Sequence, residues 1–527
     1  MELQHISELE KATKKGQLEL FRLGIGLLFI IGVMLYALMR GEGQGSIFIV
    51  IAAMIGGYMA MNIGANDVAN NVGPAVGSKA LTLGGALIIA AIFEAAGAII
   101  AGGEVVGTIR SGIIDPNQIA DADTFVWVMM AALLAAALWL NFASALGAPV
   151  STTHSIVGAV LGAGIASSGF AIANWDTIGR IVASWVISPV MGGVIAAGFL
   201  YVIKRSITYK ADLVGAACKT VPYLVAVMAL VFGTYLMIKG LERIWKVSLV
   251  EALMFGSVLA VAVFFAVRPM VRRKAEHIGN SKEGVNQLFT VPLIFAAALL
   301  SFAHGSNDVA NAVGPLAAIV EVVSSGSGEI ARAAPIPMWV MVVGALGIAI
   351  GLGLFGPRVI RTVGSEITEL DKMRAYCIAM SATITVIIAS QLGIPVSTTH
   401  VAVGAVFGVG FLREYLKSSY ARMLEDIKAH HPAGDQAAID AFLRRFSAAS
   451  VDEKGRMLAE LKKQSKNRLD PAHFSKTERK GLRKVYRQEL VKRSQVMRIV
   501  AAWVVTVPAS AFMAALLFFT IKGMLIG

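Results

Sequence analysis

Two charged, amide-rich stretches stand inside apolar surroundings, and they are copies of each other. Residues 64–74 read GANDVANNVGP and residues 305–315 read GSNDVANAVGP, nine identities in eleven positions. An Asp in hydrocarbon is expensive, and matched copies point to a site built where two structural repeats meet. A second pair follows: residues 149–154 and 395–400 both read PVSTTH. The spacings agree, with 308 − 67 = 241 residues between the two Asp and 397 − 151 = 246 between the two Ser. A third echo, RIVASWVISP from Arg180 and RIVAAWVVTVP from Arg498, has a far larger offset. The second copy therefore carries an insertion.

With 56% hydrophobic and 15% charged residues and a mean hydropathy of +0.69, the chain excludes a soluble globule and reads as an all-α polytopic membrane protein. Its two cysteines, Cys218 and Cys377, sit in apolar segments and offer no disulfide framework or metal spacing. Residues 1–17 are polar, so no cleaved leader is expected and the first apolar run, 20–39, is a span.

The hydropathy predicts about twelve to thirteen crossings, near 20–39, 46–78 (broken), 82–103, 124–146, 148–167, 180–203, 219–238, 247–268, 287–323 (broken), 337–357, 376–394, 395–413 and 498–521. With the N-terminus in the cytoplasm, four of five basic segments fall inside, and only 239–246 falls outside. Each repeat takes five crossings and the connector two, so the second copy enters from the opposite face. Loop charge agrees: 107–125 has one Arg and three Asp, whereas 358–374 has four basic and three acidic residues. The expected layout is a first span (1–45), repeat 1 (46–203), a two-span connector (204–286), repeat 2 (287–412 and 498–527) and a basic insertion (413–497). Inverted repeats with broken helices are the architecture of secondary transporters.

The residue chemistry fits that architecture. NDVAN followed by Gly-Pro should interrupt a helix and offer carboxylate, amide and carbonyl oxygens, hard ligands for a small cation or acceptors for a proton. Ser-Thr-Thr behind a Pro presents hydroxyls and first-turn amides at a positive helix end, a cradle for an anion. Glu94 lies mid-span, 27 residues after Asp67, and an intramembrane Glu is functional by default. His304 precedes Asp308 by four residues, one helical turn, and could share a proton with it. His154 and His400 close the STTH motifs and are expected to orient the hydroxyls or to pack.

The doubled GANDVANNVGPAVGS/GSNDVANAVGPL and PVSTTH segments resemble the inorganic phosphate transporter family of cation-coupled symporters, over about 46–320 and 337–521. The resemblance implies orthophosphate as substrate, alternating access and coupling to sodium or protons. It assigns Asn66, Asp67, Asn70, Asn307, Asp308 and Asn311 to the cation or proton, with Asp67 and Asp308 as sodium ligands if sodium is the coupling ion. It assigns Ser151, Thr152, Thr153, Ser397, Thr398 and Thr399 to phosphate. Glu94 matches the family's animal sodium-coupled members, but those resemble one another in a second Glu that 375–390 lacks. Proton coupling or transport of a neutral metal phosphate thus stays open. So do a sulfate permease of the same fold and a membrane phosphate sensor. No resident cofactor and no enzyme constellation is expected. The expected location is the bacterial inner (plasma) membrane, and a homo-oligomer stays open.

The insertion 413–498 holds 21 basic and 11 acidic residues, +10 of the chain's +13. Ile439, Phe442, Leu443 and Phe446 at helical spacing predict a small packed cytoplasmic bundle, with Lys476–Arg498 beside lipid headgroups. It carries no nucleic-acid recognition motif.

Overall fold

The computed structural model describes residues 2–40, 46–145, 150–241, 247–325, 336–366, 371–429 and 493–526, with positions 441, 444, 445 and 457 between them. Among the described residues the elements are all helices joined by short connections, and eleven of the helical segments are long and apolar enough to cross a membrane. The predicted bundle within 413–497, with Ile439, Phe442, Leu443 and Phe446, lies outside the described residues.

Helix α1 (Glu2–Arg40) precedes the first repeat, which runs α2 (Ser46–Asn66), α3 (Val68–Gly77), α4 (Leu83–Ala101), α5 (Gly103–Ser111), α6 (Ala122–Ala145), α7 (Thr152–Ser168) and α8 (Trp175–Ile203). The connector is α9 (Leu213–Leu241), α10 (Leu249–Ala275) and the short α11 (Lys282–Leu288). The second repeat follows as α12 (Thr290–Asp308), α13 (Ala310–Ser325), α14 (Met338–Glu366), α15 (Lys372–Gln391), α16 (Thr398–Ala429) and α17 (Arg493–Ile526). Broken spans α2–α3 and α12–α13 correspond, as do α7 with α16 and α8 with α17.

The repeats interlock. Gly64 of α2 sits so close to α14 that a Cβ would overlap the Ile348 carbonyl oxygen, and its counterpart Gly305 of α12 meets the Glu94 carbonyl of α4 in the same way. Gly162 of α7 presses on Ala511 of α17, and its counterpart Gly408 of α16 presses on Gly193 of α8. Each contact therefore recurs with the repeats exchanged, the signature of a pseudo-two-fold axis. Such backbone-to-backbone approaches are how membrane helices associate when water supplies no driving force. Gly408→Val should consequently cost folded protein: overpacking of this kind is worth about 1–3 kcal/mol. A reduced monodisperse yield on fluorescence-detected size exclusion checks it, while Gly523→Val, with no neighbour within contact distance of its Cβ, should leave the yield unchanged.

Two sequence expectations are modified. Of the thirteen predicted crossings, 148–167 and 395–413 are not full spans of the expected kind. Helix α7 has 17 residues, ~25 Å, and runs from the buried Ser151–Thr153 outward to the exposed Gly169–Ala171. Helix α16 likewise begins at buried Ser397–Thr399. Both thus start in the middle of the protein, because their polar first turns find partners there. The parity of the path is unaffected: the segments before α6 and after α7 lie side by side, Ile114 pairing with Ala173. The second change is that the broken spans are barely unwound. Asp67 (φ −87°, ψ −33°) and Val309 (φ −56°, ψ −31°) keep helical angles, and Asp67 N–H still reaches the Ile63 carbonyl at 2.9 Å. Pro74 and Pro315 lie inside α3 and α13 rather than ending them. Each removes one N–H from the turn after the interruption, which loosens the helix there without opening it.

Charge sorts the two ends of the molecule. At one end Leu213 N–H donates to Asn280, Lys372 Nζ to Thr290 and Met373 N–H to Asn286, which gathers the starts of α9, α12 and α15 where Lys204, Lys282, Arg374 and Arg413 also cluster. Lys239, whose segment was the exception to the charge rule, lies at the other end of α9 and is paired with Glu104 at 3.0 Å. A neighbouring carboxylate offsets the misplaced charge.

Candidate functional site

The two interruptions bring Asp67 and Asp308 together in the buried centre, at 2% and 1% exposure. One oxygen of each and a His304 ring nitrogen lie within 4.8 Å of one another. Two like charges so close and so dry repel unless something compensates them.

The compensation comes from the helices that begin here. Thr152 Oγ1 donates to Asp67 at 2.7 Å, and its counterpart Thr398 Oγ1 donates to Asp308 at 3.1 Å. Asn70 Nδ2 donates to Thr399 Oγ1 at 2.9 Å, and its counterpart Asn311 Nδ2 donates to Thr153 Oγ1 at 3.2 Å and to Thr152 Oγ1 at 3.1 Å. Asn66 Nδ2 reaches the Val150 carbonyl at 3.4 Å, and Asn307 Nδ2 reaches Ile394 O at 3.3 Å and Ser390 Oγ at 3.0 Å. Apart from Asn307–Ser390, which reaches the last turn of α15, each contact joins a broken span to the start of α7 or α16, or to the turn before it. Several cross from one repeat to the other.

Ser151 and Ser397 act differently from the neighbouring threonines. Their hydroxyls accept from the His154 and His400 N–H groups, capping α7 and α16. A cap fixes where the helix begins, and so places the two Thr of each motif against the Asp pair. The motif histidines point away from the carboxylates. Their rings meet edge-on with centroids 4.4 Å apart, and His154 also packs on Trp185 at 3.7 Å. They join the two STTH helices as packing partners.

The pseudo-symmetry fails around Asp308. His304 Nδ1 lies 2.7 Å from Glu94 Oε2, its Nε2 lies 2.9 Å from Asp308 Oδ2, and Asn71 Nδ2 donates to Glu94 Oε1 at 2.7 Å, all of them buried. Shifting by 241 puts Ile63 opposite His304 and Ala312 opposite Asn71. The matching glycine contacts put Ile348 opposite Glu94. A polar chain on one side of the axis faces aliphatic residues on the other. The two Asp are consequently unlike: Asp67 holds hydroxyls from both STTH helices, Thr152 and Thr399 (3.2 Å), while Asp308 holds Thr398 and the imidazole. Thr153, which by symmetry would turn to Asp308, donates instead to Val396 O at 3.0 Å.

All of Asn66, Asp67, Asn70, Glu94, His304, Asn307, Asp308 and Asn311, with the four threonines, thus converge. Sequence reasoning missed Asn71 and Ser390. Asn71 carried a usable signal, being one of only two positions where the NDVAN copies differ.

A family model described as the phosphate transporter family matches residues 63–514. A "Putative phosphate permease" of Helicobacter pylori is 55% identical over 524 residues, 98% of each chain. A protein of the same description from Chlamydia trachomatis is 39% identical over 422 residues, 75% of this chain and 98% of its own. Among solved structures, one titled "The sodium-dependent phosphate transporter" superposes with a TM-score of 0.73 at 30% identity, covering 90% of this chain and 99% of that one. With the match running through both broken spans and both STTH helices, the chain belongs to the phosphate transporter family.

Proposed function

We propose that the protein is a symporter that moves inorganic phosphate together with a cation by alternating access. The observation that carries this reading is that Asp67 accepts from Thr152 and Thr399 at once. A hydroxyl has a single proton to donate. While Asp67 is charged and bare, both threonine protons are turned to it and neither is available to an anion. A cation, or a proton, on Asp67 takes over the compensation and frees the hydroxyls at the starts of α7 and α16 for phosphate oxygens. Cation first, anion second is then a consequence of proton counting, and co-binding is the coupling. In this scheme Asn66, Asp67, Asn70, Asn307, Asp308 and Asn311 serve the cation, Thr152, Thr153, Thr398 and Thr399 serve phosphate, and Ser151 and Ser397 hold the helix starts in place. Glu94 and His304 anchor Asp308.

Oxygen donors from Asp, Asn and Thr suit sodium, a hard cation. The sodium dependence named in the superposed structure's title supports the same ion. Both ring nitrogens of His304 face carboxylates, Glu94 at 2.7 Å and Asp308 at 2.9 Å, and the reading leaves the sodium ligands to be oxygens. The basic end, with the N-terminus, faces the cytoplasm of a bacterial inner membrane under the positive-inside rule.

Purified protein in liposomes should take up labelled phosphate under an imposed inward sodium gradient. Uptake driven by a proton gradient alone would move the assignment to protons, and binding of phosphate without uptake would replace the transporter by a sensor. Excess sulfate should leave the uptake unchanged, because the reading assigns the cradle to phosphate; equal competition would point to a sulfate permease. Uptake that needs a stoichiometric divalent metal would indicate a metal phosphate as the cargo.

A further inference from the structure

A cavity of about 540 Å³ opens at the end of the molecule remote from the basic one, lined by Glu104, Thr108, Ser111, Asp115, Gln118 and Asn174 among others. At ~30 Å³ per water it has room for a hydrated phosphate. Its acids are already engaged: Glu104 by Lys239, and Asp115 by Asn117 and by Gln118. Lys239 offsets the charge of Glu104, while the amides leave Asp115 its charge.

One stretch of backbone touches both the cavity wall and the buried site. Residues 393–396 leave α15 and precede α16 without helical structure, since Pro395 has no N–H to give and Gly393 (φ +64°) takes the left-handed turn that ends α15. On the cavity side Thr108 Oγ1 donates to Gly393 O at 2.6 Å. On the site side Asn307 accepts from Val396 N–H at 3.2 Å and donates to Ile394 O at 3.3 Å, and Thr153 donates to Val396 O at 3.0 Å. The same four residues are thus clamped from both sides, by a residue of the cavity wall and by two residues of the site. Asn307 and Thr153 belong to the set that changes partners when the site fills. Thr108 does not.

We propose that the cavity is the vestibule through which phosphate and its cation arrive, that residues 393–396 are the gate between it and the Asp pair, and that Thr108 is a positioning residue that latches the gate shut. The proposal rests on the transport reading above. It places the gate on a short, non-helical, proline-containing connection of the second repeat and the latch on the first. Movement of the repeats against each other then breaks the latch directly.

The test uses the full chain with Cys218→Ser and Cys377→Ser, reconstituted in liposomes, and a membrane-impermeant methanethiosulfonate. Phosphate uptake by this parent tests the transport reading alone. With Ser111→Cys, reagent applied on the side from which uptake proceeds should modify the protein and block uptake. With Val396→Cys, modification from that side should be slow, and Thr108→Val should speed it about fivefold, the equivalent of one net hydrogen bond, while Thr108→Ser keeps it slow. Modification of Ser111→Cys only from the opposite side, or modification that leaves uptake intact, would remove the vestibule. Equal Val396→Cys rates with Thr, Ser and Val at 108 would remove the latch. The Ser111→Cys result stands whether or not the Thr108→Val protein folds.

Discussion

Asp67→Asn should lower cation-driven phosphate uptake about 100- to 4,000-fold while leaving the protein folded. Asn has the same shape, and its amide oxygen still accepts from a threonine, so the junction of α2 with α7 and α16 keeps a polar contact. What it lacks is the charge. Removing one partner of a buried charge pair costs about 3–5 kcal/mol, and each 1.4 kcal/mol is tenfold. The loss should appear as a failure of coupling: the cation no longer has a carboxylate to bind, and phosphate uptake ceases to respond to the gradient. Asp308→Asn should reduce uptake too, and in addition leave His304 Nε2 facing an amide in place of a carboxylate. Gradient-driven uptake by proteoliposomes is the measurement, with size-exclusion profiles to establish folding. Asp67→Asn protein that still concentrates phosphate within a few-fold of the parent would dismantle the proton-counting scheme.

Much of this arrangement could be read from the chain because its two halves repeat the same polar words in an apolar text. Matching offsets for NDVAN and PVSTTH placed four segments at one interface, and segment parity with loop charge gave their inverted relation. What hydropathy could not give was depth. An apolar window such as 148–167 has the length of a span whether it crosses the bilayer or starts at its middle, and only the burial of Ser151, Thr152 and Thr153 separates the two. The extent of unwinding was also beyond the sequence. A Pro seven residues past the Asp reads as a helix break, yet packing against α14 and α4 holds Asp67 and Val309 in helical angles. The roles of the hydroxyls needed coordinates as well: Ser151 and Thr152 are adjacent and chemically alike, but one caps its own helix and the other reaches a carboxylate on a distant one. Asn71 was hidden for the opposite reason. Its significance lies in a departure from the repeat, and attention to what the copies share passes over where they differ.

That departure leads to the second large effect, at the buried Glu94–His304 pair. Glu94→Ile alone strands His304 Nδ1 and Asn71 Nδ2 in the core without an acceptor, and should destabilise the protein by about 3–5 kcal/mol, the cost of breaking a buried pair from one side. His304→Ile alone strands the carboxylate and should cost about as much. The double variant, Glu94→Ile with His304→Ile, removes both partners at once, leaves only Asn71 Nδ2 without its acceptor, and installs the aliphatic side chains found at the symmetry-related, buried Ile348 and Ile63. A buried ion pair replaced by well-packed apolar side chains is often neutral for stability. The double variant should therefore melt several degrees above either single in a detergent thermal-shift assay, and yet transport no better, because Asp308 has lost the imidazole that distinguishes it from Asp67. A double variant less stable than both singles would mean that the polar chain holds the fold together. Recovery of stability with recovery of uptake would mean that the asymmetry serves neither. The expected split, stability restored and transport lost, is what a functional departure from internal symmetry predicts: the Ile63–Ile348 side shows that the fold can be built without these charges.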